Sequence, residues 1–202
     1  MLNKNANRLV NLLEKYYPLP DEERPIYVYG FELLISTLSS MFSIISVSLL
    51  INKPVYSLFF FLFFFTLRLF CGGYHASTYL KCFITTNLVF ISTIILTEII
   101  IFLQIQWIMP ISVIISTAIV WIFAPIRNKN HPCSEETHLK NKIKSRSLSS
   151  FCLILFFCFY FSIKQYDIAI HSGLSFIMVS VMIIIEKIRL LKEVKNNALY
   201  QF

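Results

Sequence analysis

The residues able to do chemistry gather in one segment, Arg68-Leu-Phe-Cys71-Gly72-Gly73-Tyr-His75-Ala-Ser-Thr-Tyr-Leu-Lys81-Cys82. Nowhere else in the 202 residues do Gly, His, Cys and a basic residue converge. Cys82 is the candidate nucleophile, because the thiolate form of cysteine is strongly nucleophilic and Lys81 or a protonated His75 would favour it. His75 is the candidate general base, since imidazole exchanges a proton near neutral pH. Gly72 and Gly73 weaken the helix locally and permit close backbone approach. Their N–H groups could form an oxyanion hole. Arg68 could hold a peptide carboxylate or orient the Gly turn. Two other readings of the same residues stay open. His75 and Cys82 could be packing residues at a helix end. Alternatively Cys71, His75 and Cys82 could ligate a metal with His131, Cys133 or His138, although the closely spaced Cys pair of a structural zinc site is missing.

Spacing constrains the elements that must hold these groups. On one straight helix, His75 and Cys82 would share a face within ~20° yet stand ~10.5 Å apart along the axis. Proton transfer needs hydrogen-bond contact or one bridging water. The chain is therefore expected to turn between His75 and Cys82, with the Gly pair on a loop. Cys82 then falls in or near the first turn of the following helix, where the helix dipole favours a thiolate.

The frame around this segment is a membrane protein. Apolar residues make up 56% of the chain and charged residues 14%, mean hydropathy is +0.68, and 20 Phe stand against four Gly. The expected fold is all-α and polytopic, a single integral membrane domain. Residues 1–25 read as an interfacial amphipathic helix and connector. Leu2, Ala6, Leu9, Val10, Leu13 and Tyr17 recur at three- and four-residue steps, and Pro18, Pro20 and Pro25 follow. Six apolar runs, at roughly 30–51, 54–70, 83–105, 107–124, 148–163 and 166–186, occupy the body of the domain (26–186). Most approach the ~20 residues needed to cross the bilayer; the second, fourth and fifth are short enough to be tilted or partly re-entrant. Residues 187–202 form a tail. No cleavable signal peptide is expected, because residues 1–24 are polar and charged.

Charge sets the expected orientation. With six spans, 16 of the 18 Lys and Arg residues fall on one side, and only Lys53 and Lys164 lie opposite. By the positive-inside rule both termini and the segment 68–82 are cytoplasmic. The net charge of +7 thus reads as a topology signal, not as a sign of nucleic-acid binding. Five cysteines, an odd number, suggest no disulfide framework. The basic stretch 127–146 reads as a loop contacting anionic lipid. Glu98, inside the third run, lies ~24 Å along a helix from Cys82 and is read as structural, as is Glu32, which could instead meet a cationic part of a substrate or pair with Arg68. His171, Cys133, Cys152 and Cys158 are read as packing or loop residues. From another functional class, a small exporter subunit for a peptide signal would carry ionisable groups near the midplane of gapped helices. Here the spans are almost free of charge.

Three stretches resemble the accessory gene regulator B (AgrB) family. The first is Arg68-x-x-x-Gly72-Gly73-x-His75-Ala76 with Cys82 seven residues after the His. The second is Ala124-Pro125-Ile-Arg-Asn128-Lys129-Asn130-His-Pro132, and the third Tyr29-Gly30-Phe-Glu32. The resemblance implies a membrane cysteine endopeptidase, without a cofactor, acting in Gram-positive quorum sensing. Its substrate would be a small amphipathic AgrD-like propeptide, and its state a homodimer in the lipid bilayer. By that resemblance Cys82 and His75 are catalytic and Arg68, Gly72 and Gly73 supporting. Glu32 and Lys129 are possible substrate contacts. Cleavage would release the acidic C-terminal tail and leave the peptide on Cys82 as a thioester. A Cys or Ser of the peptide would then close a thiolactone or lactone ring.

Overall fold

The computed structural model describes residues 2–20, 22–73, 78–126 and 135–199. These residues form seven helices and, among them, no strand. We label them α1 (Leu2–Glu14), α2 (Arg24–Leu50), α3 (Pro54–Cys71), α4 (Tyr79–Phe102), α5 (Gln106–Phe123), α6 (Glu135–Ile163) and α7 (Tyr166–Leu199). Six of them, α2 to α7, are long and apolar enough to cross a membrane. The fold is thus an all-α, polytopic membrane protein. α3 and α5 are the shortest of these six at 18 residues each, or about 27 Å.

Local sequence explains the breaks. Pro54 sits at the start of α3 and Pro25 at the start of α2, where a missing N–H costs nothing and the fixed φ suits a helix. Pro25 therefore opens the first span instead of closing the connector, and that span begins at Arg24, not near residue 30. Asn52 and Gln104 adopt left-handed conformations (φ 56° and 55°) in the two short turns that follow α2 and α4.

The fifth segment departs most from expectation. The expected loop 127–146 is helical from Glu135 onward, so α6 runs 29 residues and is not short. Glu135 and Glu136 lie in its first turn, where carboxylates complement the helix dipole. Lys140 Nζ lies 2.6 Å from Glu136 Oε1, one turn away. Further along, Arg146 donates to the Trp121 carbonyl at 3.0 Å and stacks on the Trp121 ring. Paired in this way, a charge-rich stretch continues the helix.

α7 is the central helix: 67% of its most apolar stretch is buried, against 22–39% for the other five spans. It packs on α3, α4, α5 and α6. Gly173 allows the closest approach, since a Cβ there would lie 2.9 Å from the Phe156 ring and 3.0 Å from Met109. Small residues at helix contacts are the usual way for spans to meet in lipid. The outward faces of α2, α4 and α5 instead expose Leu38, Phe42, Leu88, Ile95, Ile111 and Ile122 by more than half, as a lipid-facing surface requires.

Contacts define two ends of the bundle. At one end, Ile126 N–H donates to Cys71 C=O at 3.0 Å, Gly73 lies against Met182 and Ile183 of α7, and Glu32 meets Tyr79. At the other, Lys53 pairs with Glu98, Tyr160 donates to the Gln106 carbonyl at 3.2 Å, and His171 Nε2 lies 3.1 Å from the Tyr56 carbonyl. Arg24, Arg68 and Lys81 belong to elements meeting at the first end, Lys53 to the second. The structural reading of Glu98 agrees with its ion pair. His171 is fully buried and stacks on Tyr56 at 4.2 Å with 11° between the rings, as expected of a packing residue. Cys152 is buried, whereas Cys158 is exposed.

Candidate active site

α3 ends at Cys71, and α4 begins only at Tyr79. Gly73 and Thr78 are both non-helical, so α3 and α4 are separate helices; the expected turn at His75 lies outside the described residues. Gly72 terminates α3 with φ 69° and ψ −140°, and Gly73 follows with φ 115°. Both conformations belong to the left-handed region that L side chains avoid. The N–H of Gly72 donates to the Arg68 carbonyl at 3.0 Å. It caps the helix, so the oxyanion role expected of this donor is taken up by backbone structure.

Gly72 also permits a close contact. A Cβ on it would lie 3.2 Å from the carbonyl oxygen of Ile126. Ile126 follows the cis Ala124–Pro125 peptide, and its N–H is the group bonded to Cys71 C=O. Two of the three sequence stretches singled out above, more than fifty residues apart, thus meet backbone to backbone. Gly73 is buried, and a Cβ there would come within 3.5–3.6 Å of the Met182–Ile183 backbone. α7 forms the floor under the turn.

Cys82 lies at the start of α4. Thr78 is the N-cap, its Oγ1 accepting from Lys81 N–H at 3.3 Å, and Cys82 N–H donates to the Thr78 carbonyl at 3.0 Å. The thiol is therefore on the first hydrogen-bonded rung of the helix, half-buried, within reach of the dipole's positive end.

Arg68 is a cation close to the thiol, and its guanidinium packs over the Phe64 ring, 5.5 Å from the centroid. Sequence reasoning had paired Arg68 with a peptide carboxylate, the Gly turn or Glu32. Of the two cations expected beside the thiol, Lys81 is exposed and His75 lies outside the described residues.

Glu32 is engaged elsewhere. Its Oε1 accepts from the Asn3 side-chain amide at 2.8 Å, and it lies near the Tyr79 side chain. The Tyr29 ring lies 6.4 Å from that of Tyr79. The third stretch therefore also abuts the start of α4. Beside it a cleft of about 440 Å³ opens between α1 and α2, walled by Asn3, Asn7, Arg24, Tyr29 and Glu32. Tyr79 and Asn3 were missed as partners, and no local sequence signal marks them.

The structure brings Arg68, the Gly pair, Cys82 and Glu32 to one end of the bundle. Cys71 is buried beside Cys152. His75 and Lys129 lie outside the described residues, as do His131 and Cys133. Among the described residues no three His, Cys, Asp or Glu side chains converge as a metal site would require.

No curated protein and no solved structure matches this chain. The family model for accessory gene regulator B matches residues 6–185. All three stretches fall within that match, and the chain belongs to the accessory gene regulator B family, which processes AgrD-like autoinducer propeptides at the membrane.

Proposed function

We propose that this protein is a cysteine endopeptidase that cleaves an AgrD-like propeptide with Cys82 as nucleophile and His75 as general base. The observation carrying the proposal is the placement of Cys82, half-buried, on the first turn of α4 with the Arg68 side chain close to it.

The steps follow. His75 accepts the proton of Cys82, and the sulfur attacks the carbonyl carbon of the scissile amide. The C–N bond of the tetrahedral intermediate breaks, and His75 returns the proton to the departing amine. The acidic tail leaves, and the remaining peptide is held as a thioester on Cys82. A Cys thiol or Ser hydroxyl of that peptide then attacks the thioester carbonyl and yields its proton to His75, which passes it to the departing Cys82 sulfur. The ring closes as a thiolactone or lactone. Thiol exchange is nearly isoenergetic, and excluding water at the edge of the bilayer protects the acyl-enzyme from hydrolysis. Forming a thioester from an amide is uphill, so departure of the tail or of the product must draw the first step forward.

The basic-residue asymmetry supports a cytoplasmic site and cytoplasmic termini. In this reading Lys129 attracts the acidic tail, and the working unit is a homodimer. The decisive experiment is substitution. Cys82→Ala and His75→Ala abolish cleavage of a co-expressed propeptide, and Cys71→Ala, Cys133→Ala, Cys152→Ala and Cys158→Ala retain it. A hydroxylamine-sensitive peptide adduct forms on Cys82. Cleavage by Cys82→Ala would end the proposal.

A further inference from the structure

The last turn of α5 meets α6 through one arginine. α5 ends at Phe123, so the Trp121 carbonyl falls among those that a helix end leaves without an intrahelical partner. Arg146 on α6 supplies the donor, Nη2 at 3.0 Å, and its guanidinium lies over the Trp121 ring, 5.8 Å from the centroid. The ring is held in turn by Ser149, whose Oγ accepts from Trp121 Nε1 at 3.1 Å. The hydroxyls of Ser149 and Ser150 both donate to the Arg146 carbonyl, at 2.9 and 3.0 Å. Indole and guanidinium therefore form a fixed pair, at the end of the bundle where Ile126 bonds Cys71.

The charge of this pair is unmatched. Among the described residues no ion pair engages Arg146, and residues 106–126 and 137–163 contain no Asp or Glu. Its Nε is buried without a hydrogen-bond partner, whereas Nη1 makes no hydrogen bond and is not enclosed. Lys142, one turn before it, and Lys144, whose Nζ lies 5.2 Å from the Phe70 ring centroid, add charge of the same sign. On the same two helices Trp121, Ile122, Phe151 and Ile154 are exposed, as lipid-facing residues are. Tryptophan favours the headgroup level of a bilayer, and a guanidinium matches the oxygens of a phosphate. An excess of cations without carboxylates selects a lipid of net negative charge over a zwitterionic one.

We propose that Arg146 and the Trp121 ring form a headgroup site for an anionic phospholipid. The lipid phosphate pairs with the guanidinium, and the acyl chains lie along the exposed apolar faces of α5 and α6. The site depends neither on Cys82 nor on the propeptide. It holds the end of the bundle that carries Cys82 at the level of the headgroups.

The chain has two tryptophans, Trp107 and Trp121, which open and close α5 and so report from opposite ends of the bundle. The Trp107→Phe protein, full-length and in phosphatidylcholine vesicles, leaves Trp121 as the sole indole. Its fluorescence is followed as brominated phosphatidylglycerol, or brominated phosphatidylcholine, replaces the host lipid, since bromine quenches an indole that it touches. Phosphatidylglycerol binds at Trp121 about fivefold more tightly than phosphatidylcholine, the effect of one cation on an anionic lipid. The preference shrinks as salt rises. Arg146→Gln brings it to within about twofold of none, and Arg146→Lys, which keeps the charge, retains at least about half of it. Lys142→Gln, which leaves every contact of Trp121 in place, lowers it about twofold or more and carries the test if Arg146→Gln disturbs the α5–α6 packing. The Trp121→Phe protein, reporting from Trp107, shows no preference. Equal quenching by the two lipids at Trp121 would overturn the proposal. So would a preference undiminished in Arg146→Gln and Lys142→Gln, or an equal preference at Trp107. A preference erased by millimolar inorganic phosphate or by a soluble acidic peptide would also overturn it, by assigning the guanidinium to a free anion or to a peptide tail.

Discussion

Gly72→Ala tests whether the backbone of the Gly turn, as distinct from its chemistry, carries the site. At φ 69° and ψ −140° an L residue is strained by about 1–3 kcal/mol. The new Cβ would also lie 3.2 Å from the Ile126 carbonyl oxygen, a backbone atom that cannot rotate away. It is held in place by the 3.0 Å hydrogen bond from Ile126 N–H to Cys71 C=O, so relief must come from shifting the turn. If relief costs the site its geometry, the strain appears as lost turnover. At tenfold per 1.4 kcal/mol, kcat/KM falls about 5- to 150-fold. Gly30 supplies the control. It belongs to the Tyr29–Glu32 stretch, yet a Cβ on it meets nothing within 4 Å. Inside α2, Gly30→Ala gains about 0.8–1 kcal/mol of helix propensity and leaves turnover unchanged. The assay is release of the propeptide tail in vesicles, followed by mass and normalised to folded protein. Gly72→Ala within twofold of the parent, or Gly30→Ala as damaging as Gly72→Ala, would refute the reasoning.

Two further outcomes follow from the two ends of the bundle. In intact cells and a cysteine-free background, Lys53→Cys and Gln104→Cys react with a membrane-impermeant maleimide, whereas Lys4→Cys and Asn197→Cys do not; labelling of the latter pair would reverse the orientation. The Lys53–Glu98 ion pair is half-exposed, with side chains 37% and 53% accessible, so Glu98→Gln costs at most about 1 kcal/mol by thermal unfolding and leaves propeptide cleavage intact; loss of cleavage would draw the far end of the bundle into the mechanism.

Much of this was legible in the sequence, for identifiable reasons. Six apolar runs became six helices because apolar length is a strong and local signal. The helix break before Cys82 followed from arithmetic on seven residues and a Gly pair. The basic stretch was misread because charge density alone says nothing about pairing. Glu136–Lys140 and Arg146 with Trp121 turn residues 135–146 into the opening turns of α6. Proline was misread at Pro25 for a related reason: the same residue stops one helix and starts another, and only the neighbouring chain decides which. The partners of Arg68 and Glu32 were out of reach. Arg68 and Cys82 approach from two separate helices, and Glu32 meets Asn3 and Tyr79 across 29 and 47 positions, separations at which sequence periodicity carries no information.

The contacts that assemble this end of the bundle divide into two kinds, and the division explains which residue types the site demands. Cys71 to Ile126, and Gly73 against Met182 and Ile183, are made by backbone atoms. Such contacts constrain Ile126, Met182 and Ile183 only in size and apolarity, but they require that Gly72 and Gly73 have no Cβ. Arg68 near Cys82 and Glu32 near Tyr79 are side-chain approaches and depend on chemistry: a cation by the sulfur, a carboxylate by the hydroxyl. These side chains come from α2, α3 and α4, and α7 underlies the turn with its backbone. A short motif around Cys82 does not by itself define this end of the bundle, because α2, α3, α7 and the chain leaving α5 also meet there. The match to the family accordingly covers residues 6–185, whereas the segment that could do chemistry occupies fifteen positions.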